Sequence, residues 1–306
     1  MLSPSNPFSI VTLFEFLYLS RKKQMTNETD LKTHVDLAKS GNRASLEKIV
    51  TEIQDNIYGL ALRMLYNPSD AQDATQEILI KVITHLDSFR MESQFSTWVY
   101  RIAANYLLRY RQVEMKHSIT FEEYEESLEL ESSKEWHHPE IESEYRSYLN
   151  EVRISCLQGL LLCLSRELRI VFLLVDVFDI NSTEGAEILE ISPAAFRKRL
   201  SRARERLQLF LAKNCSLVNK ANDCRCGYHL ASQLNSTRFD AKNILFANLP
   251  IRDLKSPDPT PLVNEMDELN QIGDLYKMNP EVKAPGAFIL EVRRIIASKD
   301  FTLFAS

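Results

Sequence analysis

The chain has 306 residues, a formal net charge of −5 and 26% charged residues. That is an ordinary soluble composition, long enough for two or three domains. Seven glycines and few alternating apolar runs argue against a β-rich chain and for a mostly helical one. Five cysteines, an odd number, lack the framework of a small secreted protein, so a reducing cytoplasm is expected.

Phe8 to Leu19 is apolar and is followed by Arg21-Lys22-Lys23. The run is too short to span a bilayer, and its charge lies on the wrong side for a secretory signal. Met25 opens a plausible chain start. Residues 1–24 read either as an upstream mis-start or dispensable tail, or as an arm for a membrane surface or a partner.

Residues 31–66 show helical spacing through Leu46, Ile49, Val50, Ile53, Ile57, Leu60 and Ala61. "NPSD" then breaks the pattern, with Ser69 or Asp70 as the expected N-cap. A second helix is expected over Ala71 to Leu86, carrying Asp70, Asp73 and Glu77 near its N-terminus, where acids suit the dipole. Ala71, Ala74, Ile78, Val82 and Leu86 form its inner stripe. Leu79, Ile80 and Ile83 widen the apolar surface, as an exposed edge for a protein partner or as a fully buried helix.

"FRMESQFSTWVYRIAANYLLRYR" follows, interleaving six rings with four arginines. A polar loop and a third helix are expected. Phe95, Val99, Ile102, Ala103, Tyr106 and Tyr110 are assigned to the core face. Trp98, Arg101, Asn105, Arg109 and Gln112 lie on the opposite face, which suits unpaired nucleic acid: rings stack on bases and arginines meet phosphates. Trp98, at the helix start, fits either face. The loop "RMESQFS" is a candidate pocket for an extruded base.

From Phe121 to Glu151 there are eleven Glu against one Lys and one Arg. With no sustained apolar stripe, this reads as a flexible acidic linker. Helices resume after it, with Ser165 able to cap "RELRIVFLLVDVF", Asn181 or Ser182 able to cap "TEGAEILE", and Ser192-Pro193 a start signal. In "SPAAFRKRLSRARERLQLFLAK", Phe196, Leu200, Ala203, Leu207 and Phe210 make one apolar stripe, while Arg197, Lys198, Arg199, Arg202, Arg204 and Arg206 make a basic surface. Short helix, turn and basic helix form a helix-turn-helix pattern, whose second helix enters the major groove. Ala194, Arg197, Lys198, Ser201 and Arg202 are the expected DNA-facing positions, and Arg204 and Arg206 are expected to meet phosphates or acidic partners. Two residues strain the pattern. Glu190 stands where a turn favours Gly, and Gly185 sits inside a helix at a cost of about 1 kcal/mol relative to Ala.

Further on, Cys215, Cys224, Cys226 and His229 form a C-x8-C-x-C-x2-H set, open to a structural zinc, to redox-responsive thiols or to inert thiols. Cys156 and Cys163 are assigned to the core. Two further helices are expected, at roughly Leu262 to Tyr276 and Ala287 to Ser298. The tail would either cover the DNA-binding helix or be a passive addition. No nucleophile–base pair, phosphate loop or paired catalytic carboxylates stand out, so no enzymatic activity is expected.

Together, "PSDAQDATQEILIKVITHLDSF", "STWVYRIAANYLLRY" and "LSRELRIVFLLVDVFDINSTEGAEILEISPAAFRKRLSRARERL" resemble regions two and four of a bacterial RNA polymerase sigma factor of the extracytoplasmic-function group. Ser165, Gly185 and Glu190 depart from that family's usual residues. The resemblance implies an all-α protein. Its parts would be a tail (1–24), region two (25–116), an acidic linker (117–151) able to occupy the RNA exit path, region four (152–213) and a mostly helical extension (214–306). It implies binding to core polymerase at the β′ clamp helices and the β flap, with Asp73, Gln76, Glu77 and Lys81 facing the clamp helices. It implies minus-ten contacts from Arg90, Gln94, Trp98, Arg101, Asn105 and Arg109, and minus-thirty-five contacts from the second helix of region four. An anti-sigma partner would fit, membrane insertion would not, and no cofactor is required beyond the possible zinc. The competing expectation is a helix-turn-helix regulator that binds duplex DNA without polymerase.

Overall fold

A computed structural model describes residues 30–110, 119–130, 143–235, 271–277, 283–286, 288, 290, 293 and 294. Residues 1–24 lie outside it, as do parts of the linker and of the two C-terminal helix candidates. The described elements are helical, apart from one backbone bridge between Cys215 and Cys224. No helix among them is long and apolar enough to cross a membrane.

The periodicity over 31–66 resolves into two helices. The first, α1 (30–39), ends at Gly41, whose φ of 88° suits a residue without a Cβ. The second, α2 (Arg43–Leu65), is capped by Asn42, whose side chain accepts from Ser45 N. Asn67, not Ser69 or Asp70, caps α3 (Pro68–Thr84) by accepting from both of their backbone N–H groups, with Pro68 at the first helical position. A short 3₁₀ turn (Leu86–Ser88) and a loop lead to α4 (Phe95–Arg109).

The acidic stretch is not structureless. Thr120 and Glu123 satisfy each other's backbone N–H groups in a capping box that opens α5 (Phe121–Leu130). Phe121 and Tyr124 pack their rings on Phe210, each 5.8 Å away. The Tyr124 hydroxyl donates to Cys156 O at 2.7 Å. Next come α6 (Ser143–Leu162) and α7 (Arg166–Phe172), the latter capped by Ser165 and continuing into a wide turn (Leu173–Val177). Helices α8 (Ser182–Ile188, capped by Asn181) and α9 (Pro193–Asn214, capped by Ser192) complete the helix-turn-helix. Beyond it are α10 (Cys226–Asn235) and α11 (Gln271–Lys277).

Both sequence misgivings have physical reasons. Glu190 holds a φ of 53°, the left-handed conformation the turn demands. A Cβ on Gly185 would lie 2.4 Å from Phe196 Cζ, so α8 and α9 pack too closely there for any side chain.

The apolar stripes of α1 to α4, α6, α7, α9 and α11 merge into one core. Arg169 crosses it. It is 6% exposed, and its guanidinium donates to the carbonyls of Leu161, Leu162 and Leu164 at the end of α6 and to Met64 O at the end of α2. Desolvation lowers its pKa from 12.5 to about 10, so it stays charged at neutral pH.

Candidate nucleic-acid interface

Helix α4 presents two surfaces, and the division differs from the one the spacing gives. Phe95, Val99, Tyr100, Ala103, Ala104 and Leu107 are buried. Ile102, Tyr106 and Tyr110, assigned to the core from sequence, are half-buried. They line an open groove of about 640 Å³ together with Lys81, His85, Ser88, Trp98, Asn105 and Arg109. The correction follows from helix geometry. Positions 98, 102, 105, 106 and 109 form one stripe at spacings of three and four, and α3 supplies the opposite wall.

Trp98 belongs to both surfaces. Its ring stacks on Phe95 at 5.7 Å and an interplanar angle of 28°, and packs at 5.5 Å from Phe89. The other side lines the groove. Held by two rings, the indole is a pre-oriented platform. The loop residues Arg90 and Gln94 are exposed near the start of α4.

On α3, Leu79 and Ile83 are each 1% exposed and belong to the core, while Ile80 is half-buried. Asp73 and Glu77 are exposed and Gln76 is half-buried. Lys81 separates from these three by lining the groove. Asp73 and Glu77 lie close enough to Tyr106 to oppose its ionisation, though desolvation is the larger cause of its raised pKa.

On α9 the apolar stripe is buried as the spacing requires. Ala194, Arg197, Lys198, Ser201 and Arg202 are all exposed. Arg204 is different: it forms a fork with Asp176, Nη2 to Oδ1 at 2.8 Å and Nε to Oδ2 at 3.1 Å. It therefore braces α9 against the wide turn and is not available for phosphate.

Arg101 lies away from the groove. Its Nη2 is 3.3 Å from Glu187 Oε1 and its Nε is 4.0 Å from Glu190 Oε1. Thr97, one turn earlier, donates its hydroxyl to Glu184 Oε1 at 2.7 Å. Three acids spaced by three residues on and after α8 therefore cover the first half of one face of α4, a relation no local pattern could reveal.

Cys215 and Cys224 both lie near enough to Cys226 to raise its pKa, after the larger effect of burial. Cys224 Sγ lies 3.2 Å from His229 Nε2, and Cys215 is bridged to Cys224 through the backbone. Burial raises the pKa of Cys156, assigned to the core, and nearby Cys226 raises it further. Among the described residues no three His, Cys, Asp or Glu side chains converge on a point that could hold a metal. Desolvation raises Cys224 to about 11 and Cys226 to about 12. Since the thiolate is the nucleophile, iodoacetamide should modify native Cys224 at pH 8 about a hundredfold more slowly than the unfolded chain. Peptide mass spectrometry checks this. A pKa raised by folding gives stability below the usual thiol value of 9.0, which is lost as pH climbs toward about 12.

A family model described as Sigma-70 region 2 matches residues 49–115, and one described as Sigma-70, region 4 matches residues 154–207. The ECF RNA polymerase sigma factor SigW of Bacillus subtilis is 40% identical over 78 residues, 26% of this chain and 42% of that protein. The ECF RNA polymerase sigma-E factor of Escherichia coli is 29% identical over 179 residues, 56% of this chain and 88% of its own length. Region 2 followed by region 4 makes this chain similar to the extracytoplasmic-function group of sigma-70 factors. The RNA polymerase sigma-H factor of Pseudomonas aeruginosa is 28% identical over 185 residues, 59% of this chain and 93% of that one. A solved structure of the sigma factor RpoE in complex with the anti-sigma factor NepR from Bartonella quintana aligns at 21% identity and a TM-score of 0.37, covering 54% of this chain and 94% of that one. The groove lies within the region two match, and α8 and most of α9 within the region four match. Cys215 and everything after it lie outside both.

Proposed function

We propose that this chain joins core RNA polymerase as a sigma factor, reads the minus-ten and minus-thirty-five elements of its promoters, and initiates their transcription without catalysing a reaction itself. The observation that carries the reading is the pair of family matches in the order region two then region four. Two surfaces support it: a ring-and-arginine groove on α4 and an unobstructed basic face on α9. In this reading Asp73, Gln76 and Glu77 meet the β′ clamp helices. Trp98, Asn105 and Arg109 grip the opened non-template strand, aided by Arg90 and Gln94. Lys81 joins this second group, because it shares their groove. Arg197, Lys198, Ser201 and Arg202 enter the minus-thirty-five major groove, with Ala194 allowing close approach of the helix N-terminus.

In vitro transcription with core polymerase and native-genome promoters tests this. Folded protein that starts no transcript would overturn it, and duplex binding without polymerase would favour an ordinary regulator. Asn105→Ala should lower promoter opening by about tenfold, in line with the roughly 1–3 kcal/mol that an Asn contact to a base edge carries, while closed-complex binding stays near parental. Arg197→Ala should show the opposite split, weakening duplex binding by about 1–3 kcal/mol if it reads a base. Permanganate footprinting and gel shifts separate the two steps.

A further inference from the structure

The segment beyond α10 sits at the junction of regions two and four. Helix α11 belongs to region four. Tyr276 is fully buried, its hydroxyl donates to Leu157 O at 2.9 Å, and its ring meets Phe172 edge-on at 5.2 Å. Gly273 lies against Asp176, and a Cβ there would come within 3.0 Å of Oδ1. Eight residues later the chain is on region two. Ala284 N donates to Asp55 Oδ1 at 2.9 Å, Phe288 meets Tyr58 edge-on at 6.1 Å, and Arg293 pairs with Glu47 at 3.0 Å. Asp55, Tyr58 and Glu47 are all on α2.

Eight residues span at most about 28 Å even when fully extended. Promoter elements centred near minus ten and minus thirty-five lie about 25 base pairs apart, roughly 85 Å of duplex at 3.4 Å per pair. In the present arrangement α4, α8 and α9 are neighbours in sequence of packing, so the two DNA faces are separated by about two interhelical distances, some 20 Å. This arrangement cannot engage both elements.

Resting on the reading above, we propose that the described residues of 271–277 and 283–294 are a staple built into the chain, holding regions two and four in a closed state in which the acidic row of α8 covers the Thr97–Arg101 flank of α4, next to the open groove, and withholds Arg101 from the strand the groove takes. Glu184, Glu187 and Glu190 then occupy the place of phosphates beside Thr97 and Arg101. The staple is reinforced directly. Arg166 donates to Tyr110 O at 2.5 Å, Arg169 reaches Met64 O, and Phe178 packs edge-on against Tyr100 at 5.9 Å. The described tail residues leave the outward face of α9 open, with Arg197, Lys198, Ser201 and Arg202 all exposed. It inhibits by distance and by placing region four on region two.

The test uses the full chain carrying Phe288→Asp with Arg293→Glu, and separately Glu187→Arg, which leaves the tail untouched. Small-angle scattering should show a larger radius of gyration for the tail variant. Both variants should bind a single-stranded minus-ten oligonucleotide at least tenfold more tightly than the parent. A radius and an affinity within twofold of the parent in both variants would overturn the staple. A larger radius without any gain in single-strand affinity would leave the staple standing and overturn a strand-binding role for the Arg101 flank of α4.

Discussion

Replacing Arg169 with Met is expected to cost about 3–5 kcal/mol of stability, measured by urea denaturation followed by circular dichroism. The guanidinium satisfies carbonyls of Leu161, Leu162, Leu164 and Met64. Three of these lie at the end of α6 and one at the end of α2, where helix carbonyls lack partners of their own. No carboxylate pairs with it among these bonds. The charge is instead balanced by the negative ends of two helix dipoles. Methionine matches the apolar stem but takes the donor from Leu162 O, Leu164 O and Met64 O, at about 1–3 kcal/mol each before relaxation, while Leu161 O keeps the backbone N–H of Leu164. Lysine should recover only part of the loss, because one ammonium cannot fan out to carbonyls on two helices. A loss below about 1 kcal/mol for Met would mean that water replaces the guanidinium.

Gly185→Ala is expected to destabilise region four by about 1–3 kcal/mol and to abolish most minus-thirty-five binding. Alanine ordinarily favours a helix interior over glycine by about 1 kcal/mol. Here the sign reverses, because the new methyl would sit 2.4 Å from Phe196 Cζ. Phe196 is fully buried, so its ring has nowhere to go and α9 must shift on α8. A shift of that helix re-aims Arg197 and Lys198. The double variant Gly185→Ala with Phe196→Leu should recover stability relative to Gly185→Ala alone, which a denaturation midpoint reports. A stabilised single variant would show that the packing yields more easily than a full core permits.

Much of this was readable from residue order. The stripe through Phe196, Leu200, Ala203, Leu207 and Phe210 gave the buried face of α9 and, by complement, its basic face. The caps at Ser165, Asn181 and Ser192 placed three helix starts. What failed did so for physical reasons. Charge density in Phe121 to Glu151 concealed α5, whose folding depends on two rings reaching Phe210, a contact almost ninety residues away; the local Thr120–Glu123 capping box was the one available signal. Periodicity alone put Tyr106 and Tyr110 in the core, because it cannot tell a stripe that meets another helix from one that flanks a groove. The spacing assigns Arg101 to unpaired nucleic acid and Arg204 to phosphates or an acidic partner, without saying which acid. Their acidic partners, Glu187 and Asp176, are set by tertiary packing that no spacing rule contains.

The eight-residue passage from Tyr276 to Ala284 has a consequence for how such a factor is controlled. An inhibitor supplied as a separate protein acts in proportion to its abundance, whereas a staple on the same chain is made in a fixed one-to-one ratio with its target. Short tethers of this kind produce local concentrations in the millimolar range. Closure would therefore be independent of how much of the protein a cell makes. What could shift it is the free energy that polymerase and promoter bring together, so that the threshold for action is set by the binding partners and not by the dose.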